Sequence, residues 1–449
     1  MIRLLLITLI ALSSPALAQE DKALNITEVT TEDGLSAWLV EDHTLPIIAL
    51  DFAFKGIGAA HDPEDKQGLA RMASNTMDEG AGDLNSSTFQ KELQDLSISL
   101  GFSSSRDHFS GSVKTLSKNK ARAFELLKLA LTQPRFDEQP VERMRNANLS
   151  RIRSSLSNPD WISARLLNDK TFSGHAYTKN SGGTLTSLTK VTPDDLRAFT
   201  KNLTKDRLIV SASGDITAKD LKILLDNVFS DLPVTGELEA VPDLEQTNQG
   251  KTFLYEMDIP QTIIDMQQPG ISRKDPNFQT AQVMNYILGG GGFGSRLMDD
   301  IREERGLTYG IYSRLLNLDH YAGLSVSTST KNEAASEVIE RVKVHWNDMR
   351  EQPVTDQELS TAKSYLIGSL PLSLTSTDKI SGLLLSLQLD GLPINYLDQR
   401  EAAIQSTTKG DILELSKTLL NPESFTTILV GKPQGITGAT KVESLPNVE

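Results

Sequence analysis

Six histidines carry all the imidazole chemistry open to this chain: His43, His61, His108, His175, His320 and His345. No two lie within five residues of each other, so no helical turn or hairpin offers a local pair. A zinc site without thiolates needs about three His or carboxylate ligands, usually with such a pair among them. The spacing speaks against one here. Zero cysteines remove disulfides, thiolate metal sites and cysteine nucleophiles together. Serine chemistry has as little support. No G-x-S-x-G turn occurs, and Ser103, Ser104 and Ser105 stand beside Asp107 and His108 in one predicted hairpin. Triad members converge from separate elements instead.

The run Gly289, Gly290, Gly291, Gly292, Phe293, Gly294 satisfies G-x-G-x-x-G. It follows the helical stretch Phe278 to Leu288 rather than a strand, and no lysine follows, so neither a dinucleotide site nor a phosphate loop is expected. The run reads as a flexible loop where backbone approaches something closely, and Gly289 to Gly292 are the candidate substrate-binding backbone. Ser295 reads as the N-cap of a short helix with Leu297, Met298 and Ile301 on its apolar face and Gly306 as its stop. On residue types alone, Arg302 is one more solvated charge on that helix. Tyr309 belongs to a predicted strand, Leu307 to Arg314.

The elements that must position these residues fall into two halves. Asp194 to Gly214 and Asp411 to Gly431 share one plan, an amphipathic helix, a turn and an apolar strand ending at glycine, at a constant offset of 217 residues. Gln133-Pro134 with Asp137 echoes Gln352-Pro353 with Asp356 at an offset of 219. Two near-equal offsets in the same order predict an internal duplication. Ile47 to Phe54 and Leu208 to Ala212 read as strands, and Ser97 to Val113 as a hairpin. Lys120 to Leu131, Val141 to Leu156 and Ala334 to Met349 read as helices. Hairpins mixed with helical crossovers predict an α+β fold rather than a doubly wound sheet. Val234 to Gly250 lacks periodicity and reads as a linker. The expected division is 20–235, linker 236–250, 251–435 and a tail, 436–449.

The chain has 449 residues and a net charge of −14, which argues against nucleic acid and anionic membrane surfaces as partners. Met1 to Gln19 reads as a signal peptide, with Arg3, the apolar run Leu4 to Leu12, and Ala16-Leu17-Ala18 before the cleavage point. That run is far short of the roughly 20 residues that span a bilayer. A soluble exported protein, in the periplasm, is the expectation.

Over nearly the whole mature length the chain resembles the insulinase/pitrilysin peptidases, whose zinc motif is the inverted H-x-x-E-H. The resemblance rests on Ile47 to Phe54 with Gly56, Gly68-Leu69-Ala70, Glu142 and Arg145, and Asn158-Pro159. It continues through Gly174-His175-Ala176-Tyr177, Gly183-Thr184, Thr192-Pro193-Asp194-Asp195-Leu196 and Gly214-Asp215. Later pieces are Leu288-Gly289-Gly290, Ser295-Arg296-Leu297, Ile301-Arg302-Glu303 and Gly306-Leu307-Thr308-Tyr309. The family's metal residues do not carry over. Arg71 and Asn75 fill the two histidine positions, Ser74 fills the general-base position, and a further distal glutamate would fall near Ser150-Arg151. The Arg–Tyr pair does carry over, onto Arg302 and Tyr309.

The resemblance implies two similar α+β domains, each a mixed, mostly antiparallel sheet backed by helices, enclosing a chamber. It also implies that Arg302 and Tyr309 hold a peptide and stabilise an oxyanion, as preorganised donors can. No metal is expected in this chain. Zinc is expected in a homologous partner subunit that keeps the motif, the two chains forming a heterodimeric metalloendopeptidase on peptide substrates. A scaffold or peptide-binding protein without catalysis is the alternative, and an independent hydrolase with an unrelated site is a third.

Overall fold

A computed structural model describes residues 24–446 and Val448; the signal peptide read at Met1 to Gln19 lies outside the described residues. The strands in chain order are β1 (Thr27–Thr30), β2 (Ser36–Glu41), β3 (Ile47–Lys55), β4 (Gly80–Ala81), β5 (Leu84–Asn85), β6 (Ser99–Ser104) and β7 (His108–Leu116). They continue as β8 (Leu208–Gly214), β9 (Thr252–Glu256), β10 (Gln261–Pro269), β11 (Thr308–Leu318), β12 (Tyr321–Lys331), β13 (Thr426–Gly431) and β14 (Thr440–Lys441). Two six-stranded sheets result, ordered β1-β2-β8-β3-β7-β6 and β11-β12-β10-β13-β9-β14. In the first, only β2 and β8 run parallel; in the second, β13 and β14 each run parallel to β9. Read from opposite ends, the orders coincide over five strands, β2-β8-β3-β7-β6 against β9-β13-β10-β12-β11. Only the sixth strand differs, because the segment expected as a tail supplies β14.

The duplication extends to the helix ends. Gln133 closes the helix Lys120–Thr132 and Gln352 closes Ala335–Glu351. Thr192 with Asp195, and Thr408 with Asp411, form reciprocal capping boxes on the helices Pro193–Thr200 and Lys409–Leu419. The boxes are 216 residues apart and the strand-ending glycines 217. The helices therefore align one residue away from the sequence match, and the intervening turn absorbs the difference.

Each sheet buries one face against helices of its own half. Phe52, Phe54, Phe109, Val113 and Val210 pack into the first core, and Ile264, Met266, Leu324, Val326 and Trp346 into the second. Over each opposite face lies one helix from the other half. Pro159–Thr171 crosses β10 and β13, with Ile162 and Leu166 against Phe253, Ile428 and Val430. Thr377–Leu389 crosses β3 and β8, with Ile380, Leu384 and Leu387 against Trp38 and Val40. A fully buried serine sits under each: Ser163 Oγ donates to Asp265 Oδ2 at 2.5 Å, and Ser381 Oγ donates to Ser211 O at 3.2 Å.

The linker is pinned along part of its length. Leu244 N donates to His320 O at 2.9 Å, Thr247 N to Thr171 O at 2.9 Å, and the Gln246 amide to Gln267 O at 2.8 Å. Its first part, Val234 to Ala240, is largely exposed. A second seam joins the halves where the β6–β7 turn meets the β11–β12 turn. There Tyr177 Oη donates to Asp107 Oδ1 at 2.5 Å, and His320 N donates to Tyr177 Oη at 3.2 Å.

Candidate functional site

The segment resembling a zinc motif lies on the short helix Leu69–Ser74. Gly68 precedes it at φ +89°, and a Cβ there would meet Gly183 Cα at 2.7 Å, so two glycine backbones pack directly together. The Asp62 carboxylate accepts from Gly68 N at 2.8 Å and Ala70 N at 3.0 Å. Burial pushes the Asp62 pKa up to about 7 against the pull of those N–H groups. The scaffold that would aim the motif is thus built, but its side chains are not ligands. Ser74 Oγ donates to Arg71 O at 2.9 Å, closing its own helix turn. Asn75 Nδ2 donates to Asn148 Oδ1 at 3.2 Å, and Arg151 Nη1 approaches the same oxygen at 3.5 Å. A guanidinium has no lone pair to offer, so zinc does not fit these positions. Among the described residues no three His, Cys, Asp or Glu side chains gather into a metal-holding group.

The second candidate region begins where the helix Phe278–Asn285 runs into a π-helical turn, Tyr286–Gly290, followed by a 3-10 turn, Gly292–Gly294. The glycine run is therefore helical, not an open loop. A Cβ on Gly289 would meet Ser313 Oγ at 2.6 Å and Ser313 N at 2.9 Å, so that glycine exists to let the turn press on β11. Gly292, at φ +60°, has free space where a Cβ would point, and Gly290 is the exposed glycine of the four. Ser295 has extended backbone but does not cap the next helix: its hydroxyl donates back to Gly292 O at 2.7 Å.

Arg302 stands on a second π-helical segment, Met298–Glu304. π turns are rare and frequent at functional sites, and here one takes in the start of the glycine run and a second follows it. Gly306, at φ +62°, ends the segment: its N–H donates to Arg302 O at 3.0 Å, and Leu307 N donates to Ile301 O at 2.9 Å. Buried Asp300 fixes the segment to the helix Ala335–Glu351. Its carboxylate accepts from Arg305 Nε at 2.8 Å and Arg341 Nε at 2.7 Å, and pairs with His345 Nε2 at 2.9 Å. Burial would raise the Asp300 pKa, but those three partners outweigh it and hold it at about 2. Arg296 grips Glu358 with two hydrogen bonds, 2.6 and 3.0 Å.

Tyr309 lies in a β-bulge, since the β11–β12 register shifts between Thr308 and Ile311. Bulges re-aim side chains beside active sites. The Thr308 hydroxyl holds this one, accepting from Gly310 N at 3.1 Å and lying 2.9 Å from Thr328 Oγ1. The Tyr309 ring projects outward, 85% exposed. Arg302 Nε donates to Tyr309 O at 3.0 Å, its Nη1 pairs with Glu303, and its guanidinium lies 4.5 Å from the centroid of the Phe293 ring. The contact to Tyr309 is thus through the backbone. Arg302 Nη2 and the Tyr309 hydroxyl have no hydrogen-bond partner among the described residues.

Comparison with known proteins agrees with this geometry. Residues 52–184 match the family described as insulinase (peptidase family M16), and residues 190–366 match the peptidase M16 inactive domain. The chain belongs to the insulinase family. The non-peptidase homolog YmxG of Helicobacter pylori is 28% identical, over 86% of this chain and 89% of that one. An uncharacterized zinc protease YmxG of Bacillus subtilis is 22% identical, over 79% and 85%. The crystal structure of a peptidase M16 inactive domain from Pseudomonas fluorescens superimposes with a TM-score of 0.85 at 25% identity, covering 94% of this chain and all of that one.

The structure brings Arg302, Tyr309 and Gly292 into one region and keeps Arg71, Ser74 and Asn75 on a helix of the other half. Sequence reasoning assigns no role to Phe293, Asp300 or Thr308. Phe293 alone left a signal there, as a lone aromatic within five glycines.

Proposed function

We propose that this chain is the zinc-free subunit of an exported, two-chain metalloendopeptidase, supplying Arg302 and Tyr309 to the zinc site of a homologous partner. The carrying observation is that Arg302 Nη2 and the Tyr309 hydroxyl are free donors on a rigid base, the π segment and the bulge, while the metal positions hold Arg71, Ser74 and Asn75. Such donors stabilise an oxyanion because they need not reorganise as charge develops. Gly292, half-buried beside them with free space where a Cβ would point, suits the close approach of a peptide backbone. Export rests on the stretch Met1 to Gln19, and its loss from the secreted protein, read by N-terminal sequencing, is the check.

The test is co-production with an exported homologue carrying an intact H-x-x-E-H, followed by peptidase assays of each chain alone and of both together. Activity should need both chains. Arg302→Ala or Tyr309→Phe should lower turnover about 10²–10³-fold at equal zinc content, the scale of losing one such donor, with assembly retained.

A second reading, a scaffold without catalysis, is favoured by the bonds Arg302 already makes within the chain, to Glu303 and to Tyr309 O. Unchanged rates in both variants would select it.

A further inference from the structure

The altered metal position has inverted its charge logic. Two cationic side chains mark the altered site: Arg71 at a histidine position, and Arg151 in the Ser150-Arg151 stretch near which the resemblance places the distal glutamate. They are close enough that the charge of Arg151, after the larger effect of burial, depresses the pKa of Arg71. Among the described residues neither has a carboxylate within ion-pair distance, although Arg143 and Arg145 on the helix of Arg151 pair with Glu79 and Glu142. Like charges held together in a partly buried place are unfavourable unless an anion joins them.

The donors also outnumber the acceptors. Asn75 Nδ2 and Arg151 Nη1 converge on a single oxygen, Asn148 Oδ1. Asn148 is 3% exposed, and among the described residues its own Nδ2 reaches only the Met72 sulfur at 3.2 Å, a weak acceptor. Arg71 makes no side-chain hydrogen bond among the described residues. Arg151 is exposed and Arg71 partly so, which leaves a way in from solvent.

We propose that Arg71, Asn75 and Arg151 form a carboxylate-binding site that takes the free C-terminus of a peptide. The assignment of a peptide rests on the function proposed above. Two guanidinium forks match the two oxygens of a planar carboxylate. A chain terminus reaches a partly buried arginine end-on, without folding back. The site that holds a cation in catalytic relatives thus becomes, in this chain, an anchor for the anionic end of a substrate.

The test measures binding of a fluorescent peptide lacking Asp and Glu, as the free acid and as the C-terminal amide, to the full mature chain by anisotropy. The acid should bind about tenfold tighter, the scale of one charge-assisted hydrogen bond. Arg71→Gln and Arg151→Gln should each bring the acid to the level of the amide. Arg151 is exposed, so its variant reads out even if Arg71→Gln folds poorly. Inorganic phosphate should displace the acid from wild type and leave the amide untouched. Equal binding of acid and amide, or a preference that survives Arg151→Gln, overturns the carboxylate site while leaving the two-chain peptidase standing. A phosphate-induced rise in melting temperature, lost in Arg151→Gln but without any acid preference, reassigns the site to free phosphate and overturns the peptide. Failure of both peptides to bind defeats the site and weakens the peptidase reading with it.

Discussion

Asp300→Asn is the substitution that most directly probes how Arg302 is held. The Asp300 carboxylate, 11% exposed, joins Arg305, Arg341 and His345. Its pKa falls from 3.8 to about 2 on folding, and at about 1.4 kcal/mol per unit this amounts to about 2 kcal/mol of net stabilisation of the charged form. Removing one partner of a buried ion pair costs about 3–5 kcal/mol because the other charge is stranded. Here the stranding is partial. Arg305 keeps Glu337 at 3.9 Å, so Arg341 is the main loser. The expected cost is about 2–3 kcal/mol. Urea denaturation followed through Trp346, which neighbours His345 in the second core, should show a lower midpoint with unchanged slope. The pH dependence carries the sign. A carboxylate whose pKa is lowered on folding stabilises above its unfolded pKa, and loses that contribution as pH falls through the folded one. The gap between wild type and variant should therefore hold at pH 7 and close between about pH 4 and 2. A cost below about 0.5 kcal/mol at neutral pH, or a gap that persists at pH 2, would refute the reasoning.

Other substitutions test separate parts of the argument. Gly289→Ala should destabilise by about 1–3 kcal/mol, since its methyl meets Ser313 backbone, whereas Gly294→Ala, facing open space, should change the melting temperature little; equal effects would deny the close packing of the π turn. Asp51 is partly buried beneath an exchanged helix, and desolvation raises its pKa against the pull of the Ser381 hydroxyl. Its contribution is therefore fully present below the ordinary carboxylate pKa and is lost as pH rises through the raised one. Asp51→Asn should accordingly raise the melting temperature at neutral pH, with the gain shrinking as pH falls toward 4; a loss at pH 7 would count against it.

Local signals were legible in the sequence wherever a few neighbouring residues decide the outcome. Thr192 and Thr408, each followed three residues later by an acid, mark helix starts. Gly306 marks a helix stop, and the alternation in Ile47 to Phe54 marks a strand. The Arg–Tyr pair was legible only through family resemblance, because a charged helix residue and an aromatic strand residue have no chemistry until something aims them. What aims them comes from far along the chain: Arg341 and His345 for the segment carrying Arg302, Thr328 for the bulge carrying Tyr309. Ser295 misled because a serine before a helix can donate backward as readily as cap forward. The glycine run misled because glycines permit tight contact as well as freedom. The exchange of helices was hidden for a simpler reason. Amphipathic periodicity says that a face is buried, never by which half of the molecule.

That exchange fixes what can be done to this polypeptide. A nick between Val234 and Ala240 frees nothing, since Ile162 and Leu166 stay lodged in one sheet and Ile380, Leu384 and Leu387 in the other. Either half produced alone would lack the cover for one face of its sheet and carry an orphan helix with no surface to lie on. The two similar halves are thus not interchangeable with two free domains: each sheet is finished by a helix that its twin supplies.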